Sequence, residues 1–252
     1  MDYQFLKFEV IEGVAVVEMD RKKELNALSQ EMMGELYHVF GRLIPKRDDI
    51  RVVILTGGEQ LFSAGMDLRQ AIDSTSADIT AYCEKAVGVF NKILELDRIL
   101  ITAVSGICMG GGFNLAMMGD IIIASENAIF SHPEIKYGFN PVLTPLFYRV
   151  GLTRTKELAL RGDPIGAREA YDMGLVNRVV APEAFREEAW SWAKQLRKRP
   201  PETVRILKRA FDVVPHLNAK AAITYELELS ALLVNSSPEL KESMRKILKP
   251  HG

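Results

Sequence analysis

The segment ILITAVSGICMGGGFN, residues 99–114, joins an apolar run to a glycine triplet. Its first part, residues 99–104, is typical of a strand that is buried on both faces of a sheet. The triplet Gly110-Gly111-Gly112 precedes a predicted helix at 113–118. Glycine lets the backbone take unusual φ angles and approach a ligand closely, and the first turn of a helix has free N–H groups. The triplet therefore predicts either a tight strand-to-helix turn or a place where backbone N–H groups meet a ligand.

A second loop of small residues has the same context. The sequence LFSAGMDL at 61–68 follows an apolar run at 51–56, a second predicted buried strand. If the two loops converge at one edge of a sheet, 63–67 and 109–113 each supply one N–H to a single oxygen, as in an oxyanion hole. Neither the dinucleotide fingerprint nor the P-loop pattern of a phosphate site is present.

Strands and helices alternate along the first 197 residues, which is typical of an α/β fold. Beyond this region no strand pattern occurs, and the sequence predicts an α/β core at 1–197 and a helical C-terminal region at 198–252. The predicted strands are 5–10, 14–19, 51–56, 99–104, 120–124 and 176–180, and the predicted helices are 28–43, 77–96, 113–118, 166–174, 184–198, 202–213, 219–233 and 238–248.

Composition excludes several classes of function. With 32 basic and 33 acidic residues among 252, the net charge is −1, so the chain lacks the basic excess of a protein that binds nucleic acid through phosphates. Cys83 and Cys108 are too few for a disulfide framework or a metal cluster, and both are expected to be buried free thiols. Residues 1–4 do not resemble a signal peptide, and the apolar stretch near 99–109 is too short to span a bilayer. We expect a cytoplasmic protein without a metal ion or a membrane partner.

Several short motifs follow one another in a fixed order along the chain. They are LNALS at 25–29, VVILTG at 52–57, FSAGMDL at 62–68, AVSG at 103–106, MGGG at 109–112, DIIIAS at 120–125, PEI at 133–135 and GLVN at 174–177. Together they resemble the crotonase superfamily, which contains the enoyl-CoA hydratases and isomerases. The resemblance covers the chain from its first strands to about residue 180.

The resemblance implies a crotonase-type spiral of ββα units with a helical C-terminal region used in trimerisation, and thus a homotrimer or a dimer of trimers. It implies an acyl-CoA substrate, with coenzyme A as part of the substrate and no separate cofactor. By the same resemblance, Met66 N–H and Gly111 N–H are the oxyanion donors. The residues implied in binding CoA or the acyl group are Leu25, Ala64 (near the adenine), Met66, Asp67, Leu68, Gly111 and Phe139.

The family's hydratases use two glutamates, and this chain departs from that pattern. The first position is Asn114, three residues after Gly111, whereas the second is the intact Glu134. An amide can hold a water molecule but does not act as a general base. Glu134 alone is enough to remove an α-proton and return it at Cγ, so the pair favours enoyl-CoA isomerisation or an unusual hydration in which another group completes the site.

Other interpretations stay open. The run at 136–139 resembles decarboxylating relatives that act on carrier-protein-bound substrates, and a thioester hydrolase would use the same oxyanion hole. A non-catalytic or RNA-binding scaffold disagrees with the balanced charge and the intact Glu134. His132, Tyr137 and Asp73 are weaker candidates for the site. Near the C-terminus, Lys246 or Lys249 would either pair with a CoA phosphate or lie on a solvated helix end.

Overall fold

The computed structural model describes residues 3–236 and 245. The chain divides into two compact units, with the boundary between Arg197 and Lys198. Among the described residues, the strands lie in the first unit. They are β1 (Leu6–Ile11), β2 (Val14–Met19), β3 (Val52–Thr56), β4 (Leu61–Ser63), β5 (Ile99–Val104), β6 (Ile107–Met109), β7 (Ile121–Ser125), β8 (Ile129–Ser131), β9 (Ile165–Gly166) and β10 (Arg178–Val180).

The helices of the first unit follow or connect these strands. They are α1 (Gln30–His38), α2 (Leu68–Ile72), α3 (Ser76–Leu94), α4 (Gly111–Met117), α5 (Thr144–Arg161), α6 (Ala167–Asp172) and α7 (Phe185–Leu196). A 3-10 helix, Pro133–Tyr137, follows β8 and ends at Gly138, which has a φ of 77°.

The strands form two sheets in the first unit. The larger has the order β1-β2-β3-β5-β7-β10, and the smaller has the order β4-β6-β8-β9. The strands β2, β3, β5, β7 and β10 run parallel, while β1 is antiparallel to β2 at the edge. The pairs β3–β4, β5–β6 and β7–β8 each place a long strand in the first sheet and a short one in the second. This is the spiral of ββα units that the sequence resemblance implied.

The central strands β3, β5 and β7 agree with the sequence predictions because both of their faces are buried. All five residues of β3 are buried, and one face of the larger sheet packs on Phe185, Ala189 and Ala193 of α7. The other face lies in the main hydrophobic core with Met32 of α1. The short strands β4, β6 and β8 were not predicted, since three residues are too few to show a strand period.

The helix α5 was not predicted either. Its sequence has Pro145 in the first turn, and Gly151 at a φ of 71° interrupts the helical geometry. Both residues break the apolar period on which helix prediction depends. Arg149 of α5 donates from Nε to the Met117 carbonyl at 2.7 Å and from Nη2 to the Gly119 carbonyl. It therefore satisfies carbonyls at the C-terminal end of α4 and holds that helix in place.

The second unit contains α8 (Pro201–Val213) and α9 (Ala219–Ser236) in its described part. Within it, Arg209 Nε donates to the Tyr225 hydroxyl at 2.9 Å. Of the predicted helix at 238–248, the structure describes only residue 245, which is helical; Lys246 and Lys249 lie outside the described residues. In the described part of the chain, no helix has the length and apolar character needed to cross a bilayer.

Candidate functional site

The two loops of small residues meet backbone to backbone. Gly65 has a φ of 89°, and a Cβ added to it would lie 2.8 Å from the Met109 carbonyl oxygen and 2.9 Å from Gly111 N. A Cβ added to Gly111 would lie 3.8 Å from Met66 N. Only glycine tolerates so close an approach at this φ. The structure thus brings together the two segments that the sequence predicted to converge.

The buried side-chain amide of Asn26 stabilises the contact between the two loops. Asn26 Nδ2 donates to the carbonyls of Gly57 and Phe62, each at 3.0 Å. The Asn26 carbonyl accepts from Ser63 Oγ at 2.7 Å, and the same Oγ accepts from Gly65 N at 3.1 Å. Asn26 lies in the LNALS motif, but the sequence alone assigned it no structural role. In the structure, two properties distinguish Asn26: its polar side chain is fully buried, and its φ is positive, at 49°.

The N–H groups of Met66 and Gly111 are available to a ligand. Gly111 is the first residue of α4, so its N–H has no intrahelical acceptor. Around Met66, Leu28 N donates to the Gly65 carbonyl at 2.7 Å and Ala64 N donates to the Leu25 carbonyl at 3.0 Å. These bonds fix the loop without using Met66 N, for which no acceptor is found among the described residues.

Asp67 is a structural anchor next to Met66. Its Oδ1 accepts from Arg69 N and Gln70 N and so caps α2, while its Oδ2 lies 2.5 Å from Arg21 Nη1. Burial by itself would raise the pKa of Asp67, but the Arg21 guanidinium and the two backbone N–H groups lower the pKa below its ordinary value. The role in binding CoA that the resemblance implied for Asp67 stays a prediction; its carboxylate is only 5% exposed.

We expect the unfolding free energy of Asp67→Asn to fall less between pH 7 and pH 3 than that of the native protein. The folded protein holds Asp67 ionised below the model-peptide pKa of 3.8, so this group contributes stability above that value. That contribution is lost as pH falls from about 3.8 through the lower pKa of the folded state. Urea unfolding at pH 7 and pH 3 measures the effect. An equal loss of unfolding free energy on acidification in the variant and the native protein would contradict it.

The Glu134 carboxylate lies at the glycine turn, Gly110–Gly112. A Cβ added to Gly110 would lie 3.2 Å from Glu134 Oε1, so the 3-10 helix Pro133–Tyr137 places this carboxylate at the start of α4. Oε1 also lies 3.3 Å from Nδ1 of His132. The other oxygen, Oε2, is shielded from solvent and has no hydrogen-bond partner among the described residues.

Asn114 lies one turn into α4, where its N–H donates to the Gly110 carbonyl at 3.0 Å. It is 2% exposed, and its Oδ1 is a second buried oxygen for which the described residues supply no donor. Buried polar atoms are rarely left unpaired in folded proteins. Asn114 Oδ1 and Glu134 Oε2 are therefore two acceptors that are left without a protein donor in the described part of the chain.

The other predicted binding residues surround the loops. Leu25 is 45% exposed with a φ of 53°, and Leu68 and Phe139 are 51% and 52% exposed. Ala64 is half-buried. Phe139 is hydrogen-bonded to the 3-10 helix that carries Glu134, since its N–H donates to the Glu134 carbonyl at 3.0 Å. These apolar surfaces are free to contact an acyl-CoA, but their role stays a prediction.

Two weaker candidates and the cysteines are placed as follows. Tyr137 is 69% exposed and Asp73 lies exposed just after α2. Cys108 is buried as predicted, and burial raises the pKa of its thiol well above the ordinary value. The prediction for Cys83 was wrong, because its side chain is exposed on α3.

A groove of about 710 Å³ lies elsewhere, between the β1–β2 hairpin at the edge of the larger sheet and the start of α7. Among its charged groups, Glu18 lies 3.0 Å from Arg186 Nη2 and 3.8 Å from Lys7 Nζ. None of the predicted site residues lines it. Among the described residues, no group of three His, Cys, Asp or Glu side chains is placed to hold a metal ion.

Two strand-end loops in backbone contact, facing a carboxylate on a spiral of ββα units, are the features of a crotonase-type protein. A sequence profile of the enoyl-CoA hydratase/isomerase family matches residues 9–248. The short-chain-enoyl-CoA hydratase of Clostridium acetobutylicum is 34% identical over 219 residues, 85% of this chain and 84% of that protein. The probable mitochondrial enoyl-CoA hydratase of Dictyostelium discoideum is 34% identical over 216 residues, 84% of this chain and 77% of that protein.

Solved structures agree with these relatives. The crystal structure of an enoyl-CoA hydratase of Mycobacterium smegmatis superposes with a TM-score of 0.92 at 26% identity, over 97% of this chain and 96% of that chain. The chain belongs to the enoyl-CoA hydratase/isomerase family of the crotonase superfamily. It is an enzyme of this family, and its chemistry is the processing of acyl-CoA substrates.

Proposed function

We propose that this enzyme converts an enoyl-CoA through the enolate of its thioester, with Glu134 as the proton carrier. The observation that supports the proposal is the unpaired, solvent-shielded Oε2 of Glu134 beside the glycine turn. A carboxylate in this position can take a proton from the α- or γ-carbon of a bound acyl group.

The Met66 and Gly111 N–H groups stabilise the charge that this step creates. Removing a proton next to a thioester carbonyl moves negative charge onto its oxygen. Fixed backbone donors bind that oxygen without reorganising, and one such donor contributes about 2.7–4 kcal/mol in the transition state. The rigid contact of Gly65 with the 109–111 segment is what keeps the two donors at one place.

One carboxylate is sufficient for a 1,3-proton shift. Glu134 takes a proton at one carbon of the allylic system, the enolate is held at the two N–H groups, and Glu134 returns a proton, exchanged with solvent on its carboxyl group, at the other carbon. The double bond moves while the composition of the substrate is unchanged. Since Asn114 replaces the second carboxylate, isomerisation is the reaction that the site supports best.

Hydration is the second candidate, and the unpaired Oδ1 of Asn114 favours it. This oxygen can accept from a water molecule and hold it near the β-carbon. Glu134 would then take one proton of that water and deliver it to the α-carbon as the hydroxyl adds to the β-carbon. The relatives named as hydratases support this candidate.

A panel of substrates separates the candidates. The purified enzyme is incubated with enoyl-, dienoyl- and hydroxyacyl-CoA, and products are identified by mass and by the position of the double bond. A product of unchanged mass with a shifted double bond supports isomerisation, and a gain of one water supports hydration. Release of free coenzyme A would instead identify a hydrolase, and release of carbon dioxide from an acyl-CoA with a carboxyl group on its α-carbon, added to the panel, would identify a decarboxylase; either result would contradict the proposal.

We expect Asn114→Ala to divide the two activities. If Asn114 holds the attacking water, hydration falls by about 10- to 100-fold, while isomerisation changes by less than about threefold since its proton path does not use this side chain. The measurement is kcat for both products. Asn91→Ala, on the exposed side of α3, is the matched control. An equal loss of both activities would contradict the division.

A further inference from the structure

His132 is a buried titratable group near the site, and neither proposed reaction uses it. Its side chain is 0% exposed, although histidine is polar on both ring nitrogens. It follows β8 and immediately precedes the 3-10 helix that carries Glu134. Such burial requires a reason, because a polar ring in the interior is costly unless its nitrogens are paired.

One face of the ring is fixed by packing. The centroid of the His132 ring lies 4.9 Å from that of Phe113, at an angle of 43° between the planes. Phe113 belongs to α4 and also contacts Phe130 of β8, with centroids 5.4 Å apart. The imidazole therefore packs against α4, the helix that begins at Gly111, through a ring that itself contacts β8.

One ring nitrogen is directed at the carboxylate. Nδ1 lies 3.3 Å from Glu134 Oε1, whereas Nε2 is buried and has no partner among the described residues. Glu134 likewise has one paired and one unpaired atom, since Oε1 makes this contact and Oε2 has no partner among the described residues. An ionised carboxylate only accepts hydrogen bonds, so the contact requires the proton of a neutral imidazole to be on Nδ1.

We infer that His132 is a positioning residue for Glu134: Nδ1–H holds Oε1 and so turns Oε2 toward the substrate. The inference rests on the proposed role of Glu134 as proton carrier. It also assigns a property to the site: with Nδ1 protonated, Nε2 is an acceptor, as are Oε2 of Glu134 and Oδ1 of Asn114.

Three substitutions of His132 test the inference, because Asn and Gln each retain a different part of the ring. The Nδ2 of Asn lies close to the position of Nδ1, whereas the Nε2 of Gln lies close to the position of Nε2. We expect His132→Gln and His132→Leu to lower kcat by about 10- to 100-fold with KM within about twofold. His132→Asn should restore kcat to within about threefold of the native value. Equal kcat in the Asn and Gln variants would overturn the inference.

An NMR measurement on the unsubstituted His132 tests the inference even where the variants fail to fold. In protein labelled with ¹⁵N-histidine, the signal of His132 is assigned by replacing the other three of the four histidines. We expect a neutral ring with a protonated Nδ1 and an unprotonated Nε2, and the opposite tautomer would overturn the inference. Glu134→Gln separates the two claims. If this variant keeps full turnover, the proposed function fails; if it loses turnover while every His132 variant keeps it, only the positioning role fails.

Discussion

We expect Glu134→Gln to lower kcat on the preferred enoyl-CoA by about 10³-fold, with KM changed by less than about threefold. The amide keeps the shape of the side chain but cannot take a proton from carbon. Steady-state kinetics at neutral pH measures the effect. The loss should be similar for isomerisation and hydration, because both reactions move their proton through this carboxylate.

Glu183→Gln is the matched control for this substitution. Glu183 is an exposed carboxylate in the turn before α7, so the same loss of charge there should leave kcat unchanged. Thermal unfolding of both variants checks that each is folded. A Glu134→Gln enzyme with native kcat would contradict the mechanism, since no other carboxylate was assigned to the proton transfer.

We expect Gly65→Ala to lower kcat by about 10²- to 10³-fold, the loss that follows removal of one oxyanion donor. An alanine methyl at this position would lie within 2.9 Å of both the Met109 carbonyl oxygen and Gly111 N. The two loops must therefore separate, and this moves apart the Met66 and Gly111 N–H groups that we propose bind one oxygen. The positive φ of Gly65 adds a strain of about 1–2 kcal/mol for any L-residue.

Gly34→Ala is the control for the glycine substitution. Gly34 lies within α1, and a Cβ added there would meet no atom within 4 Å. Alanine in a helix interior is about 0.5–1 kcal/mol more favourable than glycine, so this variant should be equally active and no less stable. Native kcat in Gly65→Ala would show that the contact of the two loops does not serve catalysis.

The sequence predicts the parts of this site that local patterns determine. Long strands such as β3 and β5 have continuous apolar runs, and the glycines at their ends mark where the chain must turn closely. The proximity of Gly65 to Gly111 follows from a parallel sheet, in which strand ends meet at one edge. The individual N–H donors and Glu134 came only from the resemblance to a family, and their roles stay predictions.

Other features have no local signal. Asn26 and Arg21 act on residues 31–46 positions away in the chain, and such contacts exist only once the fold is formed. The exposed Cys83 shows the opposite error, because apolar neighbours in sequence did not imply burial on a helix. The homotrimer or dimer of trimers and the cytoplasmic location also stay predictions.

The most direct test of the enolate mechanism is the exchange of substrate protons with solvent. The native enzyme, Glu134→Gln and the control Glu183→Gln are incubated with acyl-CoA in D₂O, and deuterium on the carbon chain is measured by mass spectrometry. We predict deuterium at the α-carbon with the native enzyme and the control, and none above background with Glu134→Gln. Exchange by Glu134→Gln at the native rate would contradict the central claim that Glu134 moves the proton of an enolate held at Met66 and Gly111.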